Sequence, residues 1–69
     1  MKRKYIEVYR NNEKVDEILD RHSHRACKEY LRHNFYDTHM GSWVKKQEPK
    51  RGFEYNTTIG VYYSFVYIG

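Results

Sequence analysis

Period-two alternation opens the chain. From Lys4 to Arg10 it runs Lys-Tyr-Ile-Glu-Val-Tyr-Arg, which sets Ile6 and Val8 on one side of an extended strand and Tyr5, Glu7 and Tyr9 on the other. Lys14 to Leu19 alternates again, with Val15 and Leu19 to one side and Ile18 to the other. Asn11-Asn12 lies between them, and Asn tolerates the positive φ that a tight hairpin turn needs. The period then changes. Wound at about 3.6 residues per turn, the stretch from Ser23 to Phe35 gathers Ala26, Cys27, Tyr30, Leu31 and Phe35 on one face, with Asn34 among them. Asp20 and Ser23 are both candidate N-caps, and neither has Glu or Gln three residues on to decide between them.

Beyond the helix, Asp37-Thr38-His39-Met40-Gly41 reads as a polar connection with a Gly stop. Ser42 to Gln47 is a short strand carrying Trp43 and Val44, and Glu48-Pro49-Lys50-Arg51-Gly52 is a turn. Phe53 to Thr58 returns with Phe53, Tyr55 and Thr57 on one face, and Thr58-Ile59-Gly60 is a second tight turn or a bulge. From Val61 to Ile68, Val61, Tyr63, Phe65 and Tyr67 share one face, while Tyr62, Ser64, Val66 and Ile68 share the other. Apolar character on both faces predicts a central strand covered on both sides. Every sheet connection except the one through the helix can be a short hairpin. The expected fold is therefore α+β, one α-helix packed on a four- to five-stranded antiparallel sheet in the order ββαββ(β).

Length and composition narrow this picture. Sixty-nine residues hold a single domain, 1–69, with a small core. Eight Tyr, three Phe and one Trp supply large rings to fill it. The single cysteine excludes an internal disulfide, which fits a reducing cytoplasm. The longest mostly apolar run, the eight residues Val61 to Ile68, is too short to span a bilayer, and no apolar stretch follows the basic N-terminus as in a signal peptide. The expectation is a soluble, cytoplasmic protein without a membrane partner.

Thirteen Lys and Arg against nine Asp and Glu leave a net charge of +4, which favours an anionic partner. Arg25, Lys28 and Arg32 fall together on the polar side of the helix, and Arg21 joins them if Asp20 is the cap. A row from Arg21 to Arg32 would run roughly 16 Å at 1.5 Å per residue, long enough to follow several phosphates. Lys45, Lys46, Lys50 and Arg51 form a second basic group around the Pro-Gly turn. Tyr5 and Tyr9 share a strand face with Glu7, so that face is at least partly wet, and exposed Tyr beside cations suits base stacking or a protein hot spot.

Chemistry is less well represented. His22, His24, Cys27, His33, Asp37 and His39 are all ligand types, and His24 and Cys27 lie three apart. His33 projects elsewhere, and no CxxC or HExxH is present, so no metal site or other cofactor is expected. Cys27 beside His24 has the make-up of a thiolate–imidazole pair, but it falls on the inward face next to Ala26, where a thiol is inert core. No catalytic residues are predicted.

In plan the chain resembles small basic anti-CRISPR proteins encoded by phages, in which a hairpin leads through a Ser to a helix with an Ala on its inner face, then a short strand and a final hairpin. The matching residues are Ser23, Ala26, Tyr30 and Leu31, then Trp43-Val44. The resemblance implies an inhibitor that binds a host nucleoprotein complex through Lys, Arg and Tyr side chains. Three expectations therefore stand side by side. The first is a binding module for nucleic acid or a nucleic-acid-bound complex. The second is a mobile-element inhibitor directed at an acidic or nucleic-acid-binding groove of a host protein. The third is a structural module that forms a homodimer through an edge strand.

Overall fold

In the computed structural model, which describes residues 3–34, 41–46 and 51–69, both asparagines of the first turn take positive φ, 50° at Asn11 and 70° at Asn12. Positive φ at both central residues lets a two-residue turn match the twist of the flanking strands. The turn joins β1 (Tyr5–Arg10) to β2 (Glu13–Leu19). A bulge interrupts this pair: Val8 faces Asp16 and Tyr9 faces Lys14, so Val15 is the extra residue and stands out from the ladder, exposed. Ile18, past the bulge, packs against the core.

The remaining elements are α1 (His24–Asn34), β3 (Gly41–Lys45), β4 (Gly52–Thr57) and β5 (Tyr62–Ile68). Among the described residues the element order is β-β-α-β-β-β, with five strands, so the shorter ββαββ plan does not hold. All pairings are antiparallel and the strand order is β2-β1-β5-β4-β3. The last strand lies at the centre, as its two-sided apolar pattern predicts. It pairs with β1 across most of the chain, Val8 opposite Phe65, and with β4, Phe53 opposite Phe65.

The core lies between α1 and one face of the sheet. Ala26, Cys27 and Leu31 from the helix meet Ile6, Val8, Tyr55, Tyr63 and Phe65 from the strands. Trp43 tilts onto Tyr55 and Phe65 with ring centroids 4.9 and 5.7 Å away. Aromatic area on this scale compensates for the shortness of the chain. Among the described residues no element covers the opposite face of the sheet. The expectation that β5 would be covered on both sides is therefore not met: Tyr62, Val66 and Ile68 are half-buried, and only Ser64 is sunk to 7% exposure.

Ser23 caps the helix. Its Oγ accepts from the Ala26 N–H at 3.1 Å, and its carbonyl accepts from the Cys27 N–H at 3.4 Å. Asp20, the other candidate, instead turns the chain with φ 64°, its N–H donating to the Lys4 carbonyl at 2.8 Å. The expected helix end at Phe35, the connection from Asp37 through Met40 and the turn positions Glu48 and Pro49 lie outside the described residues.

Candidate functional site

The cap settles the basic row. With α1 starting at His24, Arg21 precedes the helix, and the helical part of the row shortens to Arg25, Lys28 and Arg32, roughly 10 Å at 1.5 Å per residue. All three are exposed. Arg21 still reaches the row from outside, because its guanidinium lies 3.3 Å from Glu29, and Arg25 meets the other oxygen of the same carboxylate at 3.4 Å. Glu29 therefore ties back the N-terminal half of the row. Among the described residues no carboxylate is ion-paired with Lys28 or Arg32. Four cations along this side less the one carboxylate of Glu29 leave three of the four net positive charges of the chain.

The described members of the second basic group are divided between the two faces of the sheet. Successive strand residues point to opposite faces, so Lys45, opposite Phe53, faces the helix side and stays exposed, while Lys46 turns to the open face. There Lys46 is largely covered and bonds Glu54 at 2.9 Å. That ammonium group holds the Glu54 carboxyl below its ordinary range. Lys50 lies outside the described residues. Arg51 is exposed, and its guanidinium donates at 3.5 Å to Nδ1 of His22.

Tyr5 and Tyr9 are on the open face with Glu7, as the alternation predicts, and hence on the opposite side of the sheet from the helical row. Tyr9 donates its hydroxyl to Glu7 at 3.1 Å, which raises the phenol above its usual range. Lys14 bridges Glu17 and Glu7, at 2.6 and 3.3 Å, and these contacts raise it likewise, Glu17 foremost. Two lysines thus answer three carboxylates on this face, Lys14 shared between Glu7 and Glu17 and Lys46 held by Glu54, and Arg51 at its rim has no carboxylate partner among the described residues.

A shallow trough of about 450 Å³ runs along β5 on this face. Tyr9, Tyr62, Ser64, Val66, Lys46 and Arg51 are among the residues around it. It exists because small residues occupy the middle of the face. Ser64 lies opposite Tyr9, and Gly52, opposite Val66, adds no side chain. The alternation along a single strand does not reveal such a hollow, since it depends on which small residues become neighbours across strands.

The chemical candidates resolve differently. His24 stacks on Phe53 at 4.1 Å and meets Trp43 edge-on at 4.6 Å, and its Nε2 is buried with no hydrogen-bond partner among the described residues. Burial, helped by the charge of Lys28, lowers its pKa. Cys27 donates its thiol to the Ser23 carbonyl at 3.4 Å, and burial pushes the group up to about 12, far from a reactive thiolate. Among the described residues no group of three or more His, Cys, Asp and Glu side chains is placed to hold a metal ion, and no helix is long and apolar enough to cross a membrane.

His22, a metal-ligand type by residue, has a structural role. Its Nε2–H donates to the carbonyls of Ile68 at 2.7 Å and Tyr5 at 3.1 Å, its ring stacks on Tyr67 at 4.8 Å, and its Nδ1 receives Arg51. That network sets the tautomer. The fold and these surfaces define a small α+β domain with a cationic helix on one side and an open, Tyr-bearing sheet on the other. Compared with protein-family models, curated proteins and solved structures, the chain matches none.

Proposed function

We propose that the protein is a non-enzymatic binding module that engages nucleic acid, or a nucleic-acid-bound protein complex, through the outer side of α1. The supporting observation is the charge asymmetry: three of the four net positive charges lie along Arg21, Arg25, Lys28 and Arg32, with Lys28 and Arg32 exposed and without a carboxylate partner among the described residues. Exposed cations at helical spacing track phosphates and release their counterions, so affinity falls with salt at about 0.9 log units per log unit for each phosphate neutralised in duplex DNA. Glu29 holds the first two guanidinium groups together, accepting a hydrogen bond from Arg21 and forming an ion pair with Arg25.

The test is a gel shift with DNA and RNA at two or more salt concentrations, on the wild type and on a variant carrying Arg25→Gln, Lys28→Gln and Arg32→Gln. The expected result is binding that weakens steeply with salt and a triple variant with lower affinity and a flatter slope. Equal binding by the two proteins overturns the proposal. A lysate partner that survives nuclease treatment and is lost by the triple variant moves the target to an acidic protein groove, the inhibitor reading.

A further inference from the structure

We infer that the trough on the open face of the sheet is a second contact surface for the same strand of nucleic acid, and that the strand it takes is single. This deepens the proposed function and rests on it. The two surfaces lie on opposite sides of the sheet, but they join around one corner. Arg21, at the N-terminal end of the helical row, is followed in the chain by His22, and Arg51, which borders the trough, donates to the imidazole of His22 at 3.5 Å. Two guanidinium groups, Arg21 at the end of the row and Arg51 at the mouth of the trough, therefore stand on either side of the neutral His22 ring at this corner.

The occupant follows from the path. Duplex DNA has a persistence length of about 50 nm and does not fold around the end of a body whose smallest extent is 20 Å. A flexible single strand can. The trough also has what an unpaired base needs. Its residues Tyr9 and Tyr62 offer aromatic surface, Val66 offers an apolar contact, and the small Ser64 leaves room for a flat ring. At the rim Arg51, exposed and without a carboxylate partner among the described residues, can meet a phosphate, while Glu7 is held by Lys14 and Tyr9 and Glu54 by Lys46. The seven residues of β5 give a path of roughly 20 Å at about 3.3 Å per residue, so more than one nucleotide is accommodated.

The experiment compares a mixed-sequence single strand with its duplex, for the wild type, for Arg51→Gln with Tyr9→Leu, and for the triple helix variant, with thermal midpoints confirming that each is folded. The single strand is expected to bind the wild type about tenfold or more tightly than the duplex, in line with the loss seen per stacked base. The sheet variant loses that preference while its duplex affinity stays unchanged, and the helix variant loses affinity for both. Amide shifts at Ser64 and Val66 on adding the single strand complete the expected result. Equal affinity for single strand and duplex, or a sheet variant that keeps the preference, overturns the inference and leaves the helical row standing. Failure to bind any nucleic acid overturns both.

Discussion

Nε2 of His22 lies 2.7 Å from the carbonyl oxygen of Ile68, joining the approach to the helix to the end of the last strand across a separation of 46 residues. The same N–H also reaches the Tyr5 carbonyl at 3.1 Å, and Tyr5 and Ile68 face each other in the sheet. One imidazole thus ties together the connection from β2 to α1 and the end of the β1–β5 pair. His22→Phe should keep the stack on Tyr67 and lose both hydrogen bonds. A destabilisation of about 1 kcal/mol is expected, since the site is only half-buried and water can reach the freed carbonyls. Urea unfolding measures it, and an unchanged midpoint would contradict the role assigned to the ring.

Gly52 should tolerate no side chain. Its φ is 139°, and a Cβ there would land on the carbonyl oxygen of Phe65, which is backbone at the centre of the sheet and cannot swing away. Gly52→Ala therefore combines a disfavoured conformation with a clash, and a loss of about 3 kcal/mol or more is expected, enough to unfold a domain this small. A collapsed amide spectrum is the readout, and a well-dispersed one would refute the contact.

Stability should fall as the solution is acidified, and His24 should be one cause. Burial lowers its pKa in the folded protein below the ordinary imidazole value. The unfolded chain therefore binds a proton first. Stability from this group is fully present above the unfolded pKa and is lost as pH falls through the lowered folded one. His24→Phe keeps a ring against Phe53 and Trp43 and removes the titrating nitrogen, so thermal midpoints measured from pH 7.5 to 5 should show a shallower decline than in the wild type. An identical decline would show that other groups carry the effect.

Cys27 should resist thiol reagents while the protein is folded. The residue is buried, and its thiol is pushed up to about 12, so at pH 8 almost no thiolate is present. Modification should be slow in buffer and fast in denaturant. Rapid labelling of the native protein would place the thiol elsewhere.

Loss of the N-cap should be modest and measurable. Ser23→Ala removes the acceptor of the Ala26 N–H and should cost about 1 kcal/mol. Asp20→Ala, which removes the other candidate cap, should leave the helix unaffected by this route, and comparing the helical signals of the two variants checks the assignment.

Much of the architecture was legible along the chain because it depends on local periodicity. Ile6 and Val8 turned inward, Tyr5 and Tyr9 outward, and Ala26, Cys27 and Leu31 faced the sheet, since side-chain direction repeats every two residues in a strand and every 3.6 in a helix. The row Arg25, Lys28 and Arg32 was legible for the same reason. Other features require knowing what comes next to what. Placing β5 between β1 and β4 made Ser64 a neighbour of Tyr9 and so opened the trough. Folding brought Glu29 to Arg21, eight residues away, and Arg51 to His22. It also brought Lys46 to Glu54, eight residues on across the β3–β4 connection. Periodicity describes one segment at a time, whereas charge pairing, hollows and the choice between Asp20 and Ser23 depend on contacts between segments, and these exist only once the sheet has closed.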